Sequence, residues 1–143
     1  MTNRDKKPKT KLCKKCGKRM AIKKFSKRYD KSATQGEVTQ ECKKCRAASI
    51  SKRRSSLRES VRQYKASKGC KMCVYNDPRA LVLHHRDPSE KSLEVSNLIS
   101  RGYSEEKIFK EVEKCDVLCQ NCHAILHHEE AKKKWRKNLN LLN

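Results

Sequence analysis

The apolar positions of this chain fall in short groups whose spacing alternates between helical and strand periods. From about Ala47 to Ser67, Ile50, Leu57, Val61 and Tyr64 follow one another at steps of seven, four and three. That is one narrow stripe at helical period, and it predicts a helix that Gly69 ends. Leu81-Val82-Leu83-His84-His85 is a continuous short run, read as a strand that stops at the turn signal Asp87-Pro88. Ser104 predicts a helix N-cap, with Glu105 and Glu106 favouring the dipole and Ile108, Phe109, Val112 and Cys115 following one face. Asp116-Val117-Leu118 predicts a second strand, and Gln120 to about Glu130 a last helix. Residues 131–143 read as a basic C-terminal helix or tail, with Trp135, Leu139 and Leu142 along one side.

The N-terminal part has a different texture. Met20, Ile22, Phe25, Tyr29 and Val38 are its main apolar residues, enough for a small ribbon with Asp30 to Gly36 as an exposed loop. Residues 1–11 are polar and basic and are expected to form a disordered arm; they lack the apolar stretch of a secretory signal, so an intracellular location is expected.

Composition limits what can hold such a chain together. Leu, Ile, Val and Phe supply only 25 of 143 residues, below the fraction of about 20% at which high net charge predicts disorder. A large core is excluded, and no apolar run is long enough for a membrane helix. Cysteine changes the picture. Eight of the nine cysteines form four C-x-x-C pairs: Cys13/Cys16, Cys42/Cys45, Cys70/Cys73 and Cys119/Cys122. Two residues between thiolates suit a chelate loop around tetrahedral zinc, and Gly17 after the second cysteine suits a tight knuckle. A secreted disulfide framework rarely repeats one tight spacing, so two structural zinc ions are expected, their binding energy standing in for the missing core. Cys115 reads as a buried core thiol.

The formal net charge of +21 points to a polyanionic partner, most simply nucleic acid. Most of it lies in residues 1–69, which hold 24 Lys/Arg against 5 acids. Lys52, Arg53, Arg54, Arg58, Arg62 and Lys65 line the predicted helix around its apolar stripe, and the single sign of that surface favours phosphate contact. Arg86 and Lys91 are further candidates for phosphate.

All five histidines lie in the second half: His84, His85, His123, His127 and His128. On a helix His123 and His127 project from one face, a metal-chelating pair, whereas His128 is rotated by about 100° and misses.

The run His84-His85, then Asn97 in Ser96-Asn97-Leu98-Ile99, then Leu118-Cys119-Gln120-Asn121-Cys122-His123 and the trailing His127 resembles the HNH endonucleases. It is most similar to the small zinc-bearing HNH proteins common in phages, over roughly Cys70 to His128. The resemblance implies a ββα-metal fold, with His84, His123 and His127 as ligands of one catalytic divalent ion (Mg²⁺, Mn²⁺, Ni²⁺ or Zn²⁺). It implies His85 as the general base and Asn97 as the residue that orients it. Both His84 and His85 must then face the ion, so the strand is expected to break its alternation there.

The expected fold is therefore small α+β and zinc-stabilised: a zinc ribbon over 12–46, a basic linker helix over 47–69, and an HNH-type ββα-metal domain over 70–130. The expected function is metal-dependent hydrolysis of DNA, with RNA less favoured and no membrane partner; a non-catalytic zinc-dependent nucleic-acid-binding protein is the alternative. The C-terminal stripe leaves a homodimer or another protein partner open.

Overall fold

The structure is a computed structural model that describes residues 9–30, 34 and 37–139. Two compact units divide the chain, 1–53 and 54–143, so the boundary falls inside the predicted linker helix.

In the first unit, β1 (Thr10–Leu12) pairs antiparallel with β2 (Arg19–Ala21), and β3 (Phe25–Lys27) pairs with β4 (Val38–Cys42). The expected ribbon is therefore two small hairpins. β1 reaches into the predicted arm, because Thr10 and Lys11 pair with Ala21 and Met20; residues 1–8 and most of the predicted 30–36 loop lie outside the described residues. The core here is minimal: Phe25, Cys13 and Cys42 are buried, with Met20, Val38 and Cys45 packed around them. Tyr29, expected in the ribbon, is exposed.

α1 (Lys43–Lys68) starts four residues earlier than the apolar stripe predicts. It is not a free linker. Its first turn carries Cys45, and its later turns bury Leu57 and Val61 in the core of the second unit. Ile50, at the head of the predicted stripe, is 40% exposed, so the stripe is functional as a packing face only from Leu57 onward. Gly69 ends the helix at φ +64°, its N–H donating to the Lys65 carbonyl at 2.9 Å. A side chain there must adopt a left-handed backbone, so Gly69→Ala is expected to lower stability by about 1 kcal/mol in a denaturant melt.

The second unit is built on β5 (Leu81–His85) and β6 (Cys115–Cys119), antiparallel partners in unbroken register from Leu81↔Cys119 to His85↔Cys115. Between them run two short helices, α2 (Val95–Arg101) and α3 (Glu105–Val112). α3 was expected from its cap, and Ser104 Oγ does accept from the Lys107 N–H. α2 was not. Cys115 opens β6 and does not extend the helix face. α4 (Gln120–Leu139) is one continuous helix, so the predicted C-terminal tail helix is its outer half. Trp135 is 64% exposed on it; the side chains of Leu139 and Leu142 lie outside the described residues.

Two apolar clusters result. Leu57, Val61, Val95, Leu98, Ile99, Ile108 and Val112 form one, and Leu81, Val117 and Leu118 form the other with Cys70 and Cys119 among them. No helix among the described residues is long and apolar enough to cross a membrane.

Candidate metal centres

The four C-x-x-C pairs assemble as two sets of four. Within Cys13, Cys16, Cys42 and Cys45, and within Cys70, Cys73, Cys119 and Cys122, the sulfur atoms all lie within 4.8 Å of one another. Cys73 Sγ and Cys119 Sγ are 3.8 Å apart, which matches the edge of a tetrahedron with bonds of about 2.3 Å. Backbone N–H groups already address the sulfurs: Cys42 to Cys13 at 3.3 Å and Cys119 to Cys70 at 3.1 Å. Bonds of this kind favour thiolate. Those from Cys42 and Cys16 bring the Cys13 thiol down to about 6. Burial pushes Cys70 up, but the N–H groups of Cys119 and Met72 outweigh it and the thiol settles at about 6. Both sets have metal-binding geometry, consistent with two structural zinc ions. Cys115 belongs to neither set: it is buried, its Sγ donates to the Glu111 carbonyl at 3.4 Å, and burial pushes its thiol up to about 11.

A third group contains no sulfur. His84 from β5 and His123 and His127 from α4 offer ring nitrogens that all lie within 4.8 Å of one another. The β5–β6 hairpin runs straight into α4 through the second cysteine set, which fixes where α4 starts relative to β5. His123 and His127, four residues apart, then meet His84 with ring centroids 5.3 and 5.0 Å from it. The Nε2 atoms of His123 and His127 are 3.1 Å apart, close to the ligand–ligand spacing around an ion with metal–nitrogen bonds of about 2.0–2.1 Å. Burial first, then the neighbouring His127 and His84, lower the His123 pKa, so the neutral ring that can donate a lone pair is favoured. Three imidazoles without a thiolate suit Zn²⁺, Ni²⁺ or another first-row divalent ion. His128 lies apart and exposed, with Nδ1 3.7 Å from Glu129.

His85 does not join this group. The expected break in strand alternation is absent: β5 stays paired with β6 through His85, so adjacent rings leave opposite faces. The His85 ring is buried, and its Nε2 lies 2.9 Å from Glu111 Oε1. Glu111, on the buried face of α3, also accepts from Ser92 N at 2.9 Å, Ser92 Oγ at 2.8 Å and Lys114 Nζ at 3.2 Å. Burial alone would raise its pKa; the bonds from Ser92, His85 and Lys114 outweigh it and hold the carboxyl at about 2. His85 borders a cavity of about 780 Å³ whose wall includes Arg58, Arg62, Lys65 and Arg79.

Asn97 does not perform the expected orienting. It is exposed on α2, and its side chain makes no hydrogen bond to a described residue, whereas its N–H donates to the Glu94 carbonyl. Glu111 holds His85 in its place. Glu111, Ser92 and Lys114 escaped the sequence reading; the one available signal was a glutamate set into the apolar stripe of Ile108 and Val112. Glu130 was also missed. Its carboxylate stands 3.3 Å from His127 Nδ1 and 3.8 Å from His84 Nε2.

Several expected phosphate contacts have local partners. Arg86 donates to the Cys115 and Glu113 carbonyls and to Asp116, bracing the start of β6. Lys91 pairs with Glu94, Arg54 donates to the Ser100 carbonyl, and Lys65 donates to the Pro78 and Leu81 carbonyls. Arg62 stands 3.7 Å from Glu59. Arg53, which also has an interaction partner, and Arg58 are exposed on α1.

Compared with known proteins, the chain matches no family model, no curated protein and no solved structure.

Proposed function

We propose that this chain is a metal-dependent phosphodiester hydrolase acting on DNA, of the HNH type that its motifs resemble. The observation that carries the reading is the convergence of His84, His123 and His127, from one strand and one helix, on a single point. A protein that only bound nucleic acid would need the two cysteine sites and the basic surface, but not a third, all-imidazole cluster.

In this reading His84, His123 and His127 hold a divalent ion. When bound, that ion neutralises charge on the scissile phosphate and stabilises the leaving oxygen. The second cysteine site fixes where α4 starts relative to β5, so the fold brings the three rings together. Exposed cations of α1, Arg58 among them, draw in the phosphate backbone without reading its sequence. The base role that the resemblance gives His85 finds no support in this geometry, since its ring faces away from the cluster and its Nε2 is committed to Glu111.

The test is a supercoiled-plasmid nicking assay with Mg²⁺, Mn²⁺, Ni²⁺ or Zn²⁺ added in turn. The native chain is expected to nick with at least one of them. A variant carrying His123→Ala and His127→Ala is expected to nick at least about 100-fold more slowly while retarding DNA in a gel as before. Equal nicking by the two proteins, or DNA binding with no cleavage under any of the four ions, would leave a zinc-dependent nucleic-acid-binding protein.

A further inference from the structure

We propose that Glu130 is a positioning residue of the three-imidazole site, holding His127 in the tautomer that can bind an ion. The inference rests on the reading of that cluster as a metal site and adds a fourth member to it.

The three rings are not held equally. The His84 side chain is only 11% exposed, and packing fixes its ring. His123 is half-buried at the start of α4, between His84 and His127. The His127 side chain is 54% exposed, so packing leaves its ring free to turn. Glu130 supplies the missing constraint. On α4, His123, His127 and Glu130 are spaced by four and then three residues, so all three project from one face.

Across the His127 ring, the two nitrogens then have separate tasks. Nδ1 faces Glu130 Oε2 at 3.3 Å, and Nε2 faces His123 Nε2 at 3.1 Å, inside the cluster. A carboxylate has only lone pairs to offer, so the ring satisfies it by carrying its proton on Nδ1. Nε2 is left bare and aimed where the other two rings aim. A carboxylate behind a ligand histidine also makes the ring a better donor. Oε1 of the same carboxylate lies 3.8 Å from His84 Nε2, so Glu130 stands beside the cluster.

The experiment measures binding, not cleavage. Zinc-loaded full-length protein is titrated with Ni²⁺ by calorimetry, and the His127 tautomer is read from long-range proton–nitrogen NMR correlations of the ring. Glu130→Ala is expected to weaken Ni²⁺ binding about 10–100-fold and to give mixed tautomers. Glu130→Gln still offers an amide oxygen to the Nδ1–H group, so it is expected to stay within a few-fold of the native chain with one tautomer. Native-like binding by Glu130→Ala overturns the proposal. Equal losses in both variants overturn it too, because the carboxylate would then be acting as a direct ligand or through its charge. A native chain that takes up no Ni²⁺ removes this proposal and the metal site together, whereas intact binding without plasmid nicking removes the proposed activity and leaves Glu130 in its role.

Discussion

Cys70→Ser is expected to unfold the second unit and leave the hairpins of the first in place. A structural zinc contributes roughly 10–16 kcal/mol of apparent binding energy, as much as or more than the whole stability of a typical domain of about 5–15 kcal/mol. Cys70 is not peripheral to its unit: with Cys119 it packs against Leu81, Val117 and Leu118, so the metal site and one of the two apolar clusters are the same place. The β5–β6 hairpin has only five paired positions, and a two-stranded hairpin of that size is marginal by itself in water. Zinc content should fall from about two to about one per chain, with loss of most helical circular dichroism. Cys13→Ser is expected to release the other zinc and disrupt the small first unit, where Phe25 is, among the described residues, the one fully apolar residue buried beside Cys13 and Cys42. A Cys70→Ser protein with native dichroism and an unchanged melting temperature would show that the apolar clusters suffice without metal.

The parts of this molecule that were readable in advance are those encoded by local spacing. Two residues between cysteines define a knuckle whatever surrounds it, and His123 with His127 define one helix face. The Ser104 cap and the Gly69 stop are likewise decisions made within one turn of chain. What sequence hid was settled by partners remote in the chain. The face that His85 takes is decided by β5 keeping its register with β6, from Leu81↔Cys119 to His85↔Cys115. Its burial is then made tolerable by Glu111, 26 residues away. α2 escaped because Val95, Leu98 and Ile99 give less than two turns of pattern, and Glu94 makes no side-chain cap bond. The role of the linker helix is hidden for a related reason. Its stripe was visible, but which unit would cover Leu57 and Val61 was not.

The largest single-residue effect away from the cysteines is expected at Glu111. Its carboxylate satisfies four donors at once: the buried His85 ring, the N–H and hydroxyl of Ser92, and the Lys114 ammonium. Through them it ties α3 to the end of β5 and to the loop before α2. Glu111→Ala leaves all four without their acceptor, the buried His85 ring among them, and is expected to destabilise the fold by about 3–5 kcal/mol. Glu111→Gln keeps one acceptor oxygen but turns an N–H₂ toward groups that themselves donate, so a loss of about 1–3 kcal/mol is expected. If His85 is an anchor, His85→Ala also lowers the melting temperature, and a double-mutant cycle with Glu111→Ala gives a coupling of about 0.5–3 kcal/mol. Nicking by folded His85→Ala protein, measured below its melting transition, then stays near the native rate. The opposite result has an equally direct meaning. A His85→Ala variant that melts like the native chain, binds the third ion and nicks no DNA would return His85 to the role of general base. Water activation would then fall to Nδ1, the ring nitrogen that Glu111 leaves unengaged.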